Sequence, residues 1–149
     1  MRMTDPVAVL LGEKGHQVFS VSPEASVYEA IEMMSQRGIG ALMVMQGSHL
    51  VGVLSERDYA RRVILEGRSS RETRVEEIMS IAPVTVTPDH TVEECMRLMT
   101  EHHVRHLPVI DGGRMAGVLS IGDLVKRIIS VQAQVIEYME NYINGSYPA

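Results

Sequence analysis

The side chains with the most chemical capacity in this sequence come in two matched sets. Ser55 and Asp58 stand three residues apart, and so do Ser120 and Asp123. A hydroxyl followed three residues later by an acid marks a capped helix start, because each side chain satisfies backbone donors that the first turn leaves open. An ionised carboxylate is also a strong acceptor, its hydrogen bonds being worth about 1.5–3 kcal/mol each. His102, His103 and His106 invite a metal reading, since positions four apart share a helix face. No carboxylate-bearing zinc motif surrounds them, and no metal site is expected. Cys95 is the single cysteine, which excludes an intrachain disulfide and a cysteine-based zinc cluster and fits a reducing compartment. With no base near it in sequence, it reads as a small buried residue. The sequence has no glycine-rich phosphate loop and no Ser-His-Asp arrangement, so an enzyme is not expected.

The elements that must position these groups are written twice. Val21 to Asp58 can be laid onto Val86 to Asp123 without a gap, and about a third of the positions between Phe19 and Asp58 are then identical. The densest match is Gly52-Val53-Leu54-Ser55 against Gly117-Val118-Leu119-Ser120, with Asp58 against Asp123. Each copy starts with a short strand, Val18 to Val21 or Val84 to Thr87, closed by Pro23 or Pro88. Ser26 with Glu29, and Thr91 with Glu94, carry the capping-box pattern that opens a helix. Val27, Ile31 and Met34, matched by Val92, Met96 and Met99, give that helix its apolar stripe. Gly38 is a natural stop. A hairpin follows, Ala41 to Met45 and Leu50 to Leu54, with Asp111-Gly112-Gly113 as the stronger turn in the second copy. A further helix starts at Ser55 or Ser120. The chain is therefore expected to be α/β (α+β), two β-α-β-β-α units related by a pseudo-twofold axis.

The expected divisions are a first repeat over residues 7–65, a polar linker over 66–74, a second repeat over 75–130 and a helical extension over 131–149. Val7 to Leu11 leads into the first copy much as Val75 to Ser80 leads into the second, a few residues out of step. The extension carries Ile128, Val131, Val135, Tyr138 and Tyr142 at alternating spacings of three and four, a face for packing on the domain or on a second subunit; a homodimer is expected. Lys plus Arg total 14 against 19 Asp plus Glu, a net charge of -5 that argues against non-specific nucleic-acid binding and against adhesion to an anionic membrane. The uncharged stretch between Arg37 and Glu56 is interrupted by Gln46-Gly47-Ser48-His49, which fits a turn between strands better than a membrane helix. A cytoplasmic protein is expected.

Two gapless β-α-β-β-α copies, each ending in Gly-Val-Leu-Ser-x-x-Asp, resemble a tandem pair of CBS domains (the cystathionine-β-synthase type). His103-Val104-Arg105-His106-Leu107-Pro108-Val109-Ile110-Asp111 is similar to that family's second strand. The segment from Ser55 to Val63 and the linker Gly67-Arg68-Ser69-Ser70 look like the stand-alone CBS pairs of bacteria and plant organelles. The resemblance implies a regulatory module that binds an adenosine-containing ligand (AMP, ADP, ATP, NAD(H) or S-adenosylmethionine) in clefts between the copies. It implies that Asp58 and Asp123 accept hydrogen bonds from ribose hydroxyls, and that Ser55, Ser120 and the helix N-termini meet phosphate oxygens. Arg105 and His106, which align with Gly40 and Ala41, are implied to lie near the phosphates, with Arg57, aligned with Gly122, as a further candidate. Thr85, aligned with Ser20, is implied to sit near the adenosine. Because the cations belong to one copy's strand, the two clefts are not expected to be equivalent. The other function considered is an adaptor that regulates an unidentified client protein, with ligand binding incidental.

Overall fold

The computed structural model describes residues 3–143; residues 144–149 of the expected extension, and the side chain of Tyr142, lie outside the described residues. The elements run α1 (Val7–Lys14), β1 (Ser20–Val21), α2 (Val27–Arg37), β2 (Ala41–Gln46), β3 (His49–Ser55), α3 (Glu56–Tyr59), a π-helical turn Ala60–Ile64, α4 (Val75–Ile78), β4 (Ser80–Ile81), α5 (Val92–His102), β5 (His106–Asp111), β6 (Arg114–Ser120) and α6 (Ile121–Ile143). The mixed α/β architecture with two copies of one motif is what the repeat predicts. Hairpin β2–β3 and hairpin β5–β6 share one register, down to a bulge after Val44 and after Val109. Gly47 and Gly112 occupy the same left-handed turn position, with φ of 63° and 57°.

The caps also repeat, with small differences. Ser26 accepts from the Glu29 amide at 3.1 Å without the reciprocal bond, whereas Thr91 and Glu94 form the full capping box. Gly38 ends α2 in the left-handed region. His103 holds the same place after α5 at φ 52°, a conformation that costs a residue with a Cβ about 1–2 kcal/mol.

Two elements depart from the expected pattern. The first strand of the second copy contracts to a single parallel bridge, Val86 to Val109. In the first copy the Met43 amide donates to the Phe19 carbonyl. The residue aligned with Met43 is Pro108, which has no N–H, so the ladder cannot extend to Val84. The helix after Ser55 is also short: α3 widens into the π-helical turn, whereas α6 runs unbroken for 23 residues.

The lead-in helices are exchanged between the copies. Val7, Leu10 and Leu11 of α1 are buried with Val86, Val92, Cys95, Leu107 and Leu119 of the second copy. Val75 and Ile78 of α4 are buried with Val27, Ala30, Leu42 and Leu54 of the first. Matching backbone bonds fix both helices: Val7 donates to His90 and Val92 to Asp5, while Val75 donates to Ala25 and Val27 to Thr73. Gly52 and Gly117 make room for them. A Cβ on Gly117 would stand 2.7 Å from Leu11 Cδ2, and one on Gly52 would stand 2.6 Å from Met79 Sδ. Two aligned arginines complete the docking. Arg62 donates to the carbonyls of Ile78 and Met79, and the buried Arg127 pairs with Asp5 and Glu13.

Beyond Ser130, α6 leaves the core. Ile128 and Val131 are half-buried, but Val135 and Tyr138 are exposed, along with Ile136 and Met139. Among the described residues no helix is long and apolar enough to cross a membrane.

Candidate functional site

The pseudo-symmetry builds two clefts where the start of one copy's second strand meets the helix-opening turn of the other. The first, of about 430 Å³, is lined by Ser55, Arg57, Asp58 and Arg61 of the first copy and by His102 to His106 of the second. The second, of about 490 Å³, is lined by Ser120 and Asp123 and by Gly38 to Ala41, with Lys14 and Phe19 at its edge. Both volumes lie in the range that holds a small organic ligand. Gly40 and His106 line both clefts and form the wall between them.

Each helix-opening turn is a complete reciprocal cap. In the first cleft the Ser55 amide donates to Asp58 Oδ2 at 2.9 Å, and the Asp58 amide donates to Ser55 Oγ at 3.2 Å. In the second the corresponding distances are 2.8 Å and 3.1 Å. Capping is therefore a real role of both pairs. It also holds each carboxylate at a cleft wall, where its remaining acceptor capacity can meet ligand hydroxyls.

The surroundings of the two carboxylates differ. Among the described residues no cation lies within ion-pair distance of Asp58, yet Arg57, Arg61 and Arg105 line the same cleft. Arg57 crosses the boundary between the copies to donate to the His103 carbonyl at 3.3 Å. In the second cleft Lys14 Nζ lies 2.5 Å from Asp123 Oδ2. Burial pushes the Asp123 carboxyl up, but the hydrogen bonds from Lys14 and the Ser120 amide outweigh it and leave the pKa below the usual carboxylate value. Burial holds the His106 imidazole below its ordinary pKa; Lys14 and Arg105 add to that, and Asp123 opposes it. A neutral His106 is a hydrogen-bonding wall at neutral pH, able to become a cation when an anion approaches.

Of the residues singled out in sequence, Ser55, Arg57, Asp58, Arg105 and His106 come together in the first cleft, and Ser120, Asp123 and His106 in the second. Thr85 lines neither; it is exposed in the extended stretch before Val86. Its neighbour Val84 lines the first cleft, as the aligned Phe19 lines the second, because side chains alternate along an extended chain. Sequence reasoning passed over Arg61 and Lys14. Arg61 follows Arg57 by four, a same-face helical spacing that was available as a signal. Lys14 arrives through the helix exchange. Cys95 is buried and its thiol is pushed up to about 11 by burial, with Glu94 adding to it, which suits a core residue. Among the described residues no three His, Cys, Asp or Glu side chains are grouped to hold a metal ion.

Known proteins with this architecture share a name for it. The model of the CBS domain matches residues 3–65 and 75–130. The mitochondrial CBS domain-containing protein CBSX3 of Arabidopsis thaliana is 39% identical over 127 residues, which cover 82% of this chain and 62% of that protein, so the chain spans less than two thirds of this relative. The solved structure of a signal-transduction protein with CBS domains from Burkholderia ambifaria MC40-6 superposes with a TM-score of 0.81 at 49% identity, covering 84% of this chain and 94% of the other. The crystal structure of CBSX2 in complex with AMP superposes with a TM-score of 0.66 at 26% identity, covering 77% and 90%.

Proposed function

The chain belongs to the CBS-domain family, and from that premise we propose that it is a regulatory module, not an enzyme, that senses an adenine nucleotide in the first cleft. The observation that carries the reading is the pairing in that cleft of a fixed carboxylate, Asp58, with Arg57, Arg61 and Arg105. A nucleotide has the complementary polarity: hydroxyls on its ribose for the acid, phosphate oxygens for the guanidiniums. The cations also offset the unfavourable field that a chain of net charge -5 presents to an anion. Val53, Pro83, Val84 and Val104 supply apolar surface for a base. The AMP held by CBSX2 supports AMP as the first ligand to try, with ADP, ATP and NAD(H) as larger members of the class.

Binding joins groups from both copies, so occupancy tightens one copy on the other, and that change is the signal a client protein reads. The exposed apolar residues of α6 favour a homodimer, and they also give a second reading its footing: an adaptor whose surface engages a client without regard to ligand. Thermal unfolding with added nucleotides separates the two. AMP at about 100 times its dissociation constant is expected to add roughly 2.7 kcal/mol of stability, and CMP much less. Equal responses would mean that the base is not read, and no saturable response to any nucleotide would leave the adaptor reading standing.

A further inference from the structure

The second cleft has the same frame as the first, a similar volume and the same capped aspartate, yet its carboxylate already has an occupant. Lys14 Nζ sits on Asp123 Oδ2 and also donates to the Val118 carbonyl. Lys14 is the last residue of α1, and α1 is held firmly: Val7, Leu10 and Leu11 are buried, and Arg127 grips its neighbour Glu13 at 2.6 Å. Just past the helix, His16 Nδ1 donates to the Ala116 carbonyl at 2.8 Å, so the chain is fastened on both sides of the lysine. The ammonium is thus delivered by a rigid support. The exchanged segment that borders the first cleft, Ser80 to Val84, contains no cation. Two of the first cleft's arginines align with glycines, Arg105 with Gly40 and Arg57 with Gly122, while Arg61 aligns with Lys126, and no arginine lines the second cleft.

We propose that Lys14 is a built-in plug of the second cleft, occupying the carboxylate that a ribose would need and so restricting each chain to one nucleotide, bound in the first cleft. This deepens the nucleotide-sensing reading and rests on it. A ligand entering the second cleft must first break a charge-assisted bond pinned at both ends, and it finds no guanidinium to hold its phosphate in return. Lys14 is therefore what closes the second cleft's carboxylate, over and above the arginines that this cleft lacks.

Calorimetric titration of the full chain with AMP tests the plug by counting sites. The wild type is expected to saturate at one AMP per chain, and Asp58→Asn is expected to weaken that site roughly ten- to a hundredfold. Lys14→Met and Lys14→Gln, each checked for a cooperative melt, are expected to saturate at two, and adding Asp123→Asn to either returns the count to one. A wild type that already binds two, or lysine variants that still bind one, overturns the plug and leaves the nucleotide reading intact. Lysine variants that lose binding altogether would make Lys14 a phosphate ligand and overturn it as well. No AMP bound by any form removes both readings. No binding by the wild type with one site in the lysine variants would refute the first-cleft reading and keep the plug.

Discussion

In the first cleft Asp58 shares its walls with Arg57, Arg61 and Arg105; in the second, Asp123 is tied to Lys14, and the positions aligned with those arginines are Gly122, Lys126 and Gly40. The capped turns behind the two carboxylates have the same bonds to within about 0.1 Å. The frame is thus inherited by both copies, and the chemistry is set by a few positions where they have diverged. A fold built twice supplies two pockets, but it takes only one lysine and two glycines to give them different tasks.

The largest expected effect separates the two aspartates. Asp58→Asn removes the charged acceptor in the open cleft and should weaken AMP binding by about 1.5–3 kcal/mol, roughly ten- to a hundredfold. Asp123→Asn should leave AMP affinity near that of the wild type, because its carboxylate is engaged by Lys14. Equal losses in calorimetry would break the contrast between the clefts. A second comparison concerns the two close-approach glycines. Gly52→Ala meets the Ser80 carbonyl at 2.8 Å as well as Met79, and backbone cannot easily yield. It should cost about 1–3 kcal/mol in urea unfolding. Gly117→Ala meets only Leu11, at the far end of a flexible side chain, and should cost less. The reverse order would show that α4, not α1, is the looser of the two helices.

The smallest effect belongs to the wall that the clefts share. The His106 pKa in the folded chain lies below 6.5, so the unfolded chain takes up this proton more readily. Stability from a neutral His106 is fully present above about pH 6.5 and is lost as the pH falls through the lowered value. Urea midpoints measured from about pH 7.5 down to about pH 5.5 should fall, and His106→Gln should flatten that part of the slope. Because Lys14 contributes to the shift, Lys14→Met should make the slope shallower, which ties the pH response to the second cleft.

Much of this arrangement was legible in the residues. Repeated strings such as Gly52 to Ser55 and Gly117 to Ser120 specify local structure, and local structure follows from caps, turns and periodicity. The hairpins, α2 and α5, and both Ser-Asp turns were readable for that reason. The first strand of the second copy is shorter than its own residues suggest, because the missing N–H that shortens it belongs to Pro108, in a different strand. Thr85 was aligned correctly with Ser20, but alternation along the chain gives the cleft to Val84 and Phe19. The exchange of α1 and α4 was not legible: an apolar helix such as Val7 to Leu11 fits the groove of either copy, and only the three-dimensional closure decides which. Lys14 was missed with it. Following the match of Val7 to Val75 further along would have set Lys14 opposite Ala82, beside the residues that border the first cleft.

The helix exchange also bears on how the chain comes into being. The first repeat leaves the ribosome before α4, so its core lacks Val75 and Ile78 until the linker has been made. Helix α1 waits longer still, since its seat is completed only once β6 and Arg127 have been made. Cutting the chain in the linker would therefore yield two fragments that each carry the other's missing helix, and neither could close its core alone. Contacts of such wide sequence separation slow folding but bind its success to the whole chain. A truncated product would be left with an open apolar groove, the kind of surface by which a cell distinguishes an unfinished protein from a finished one.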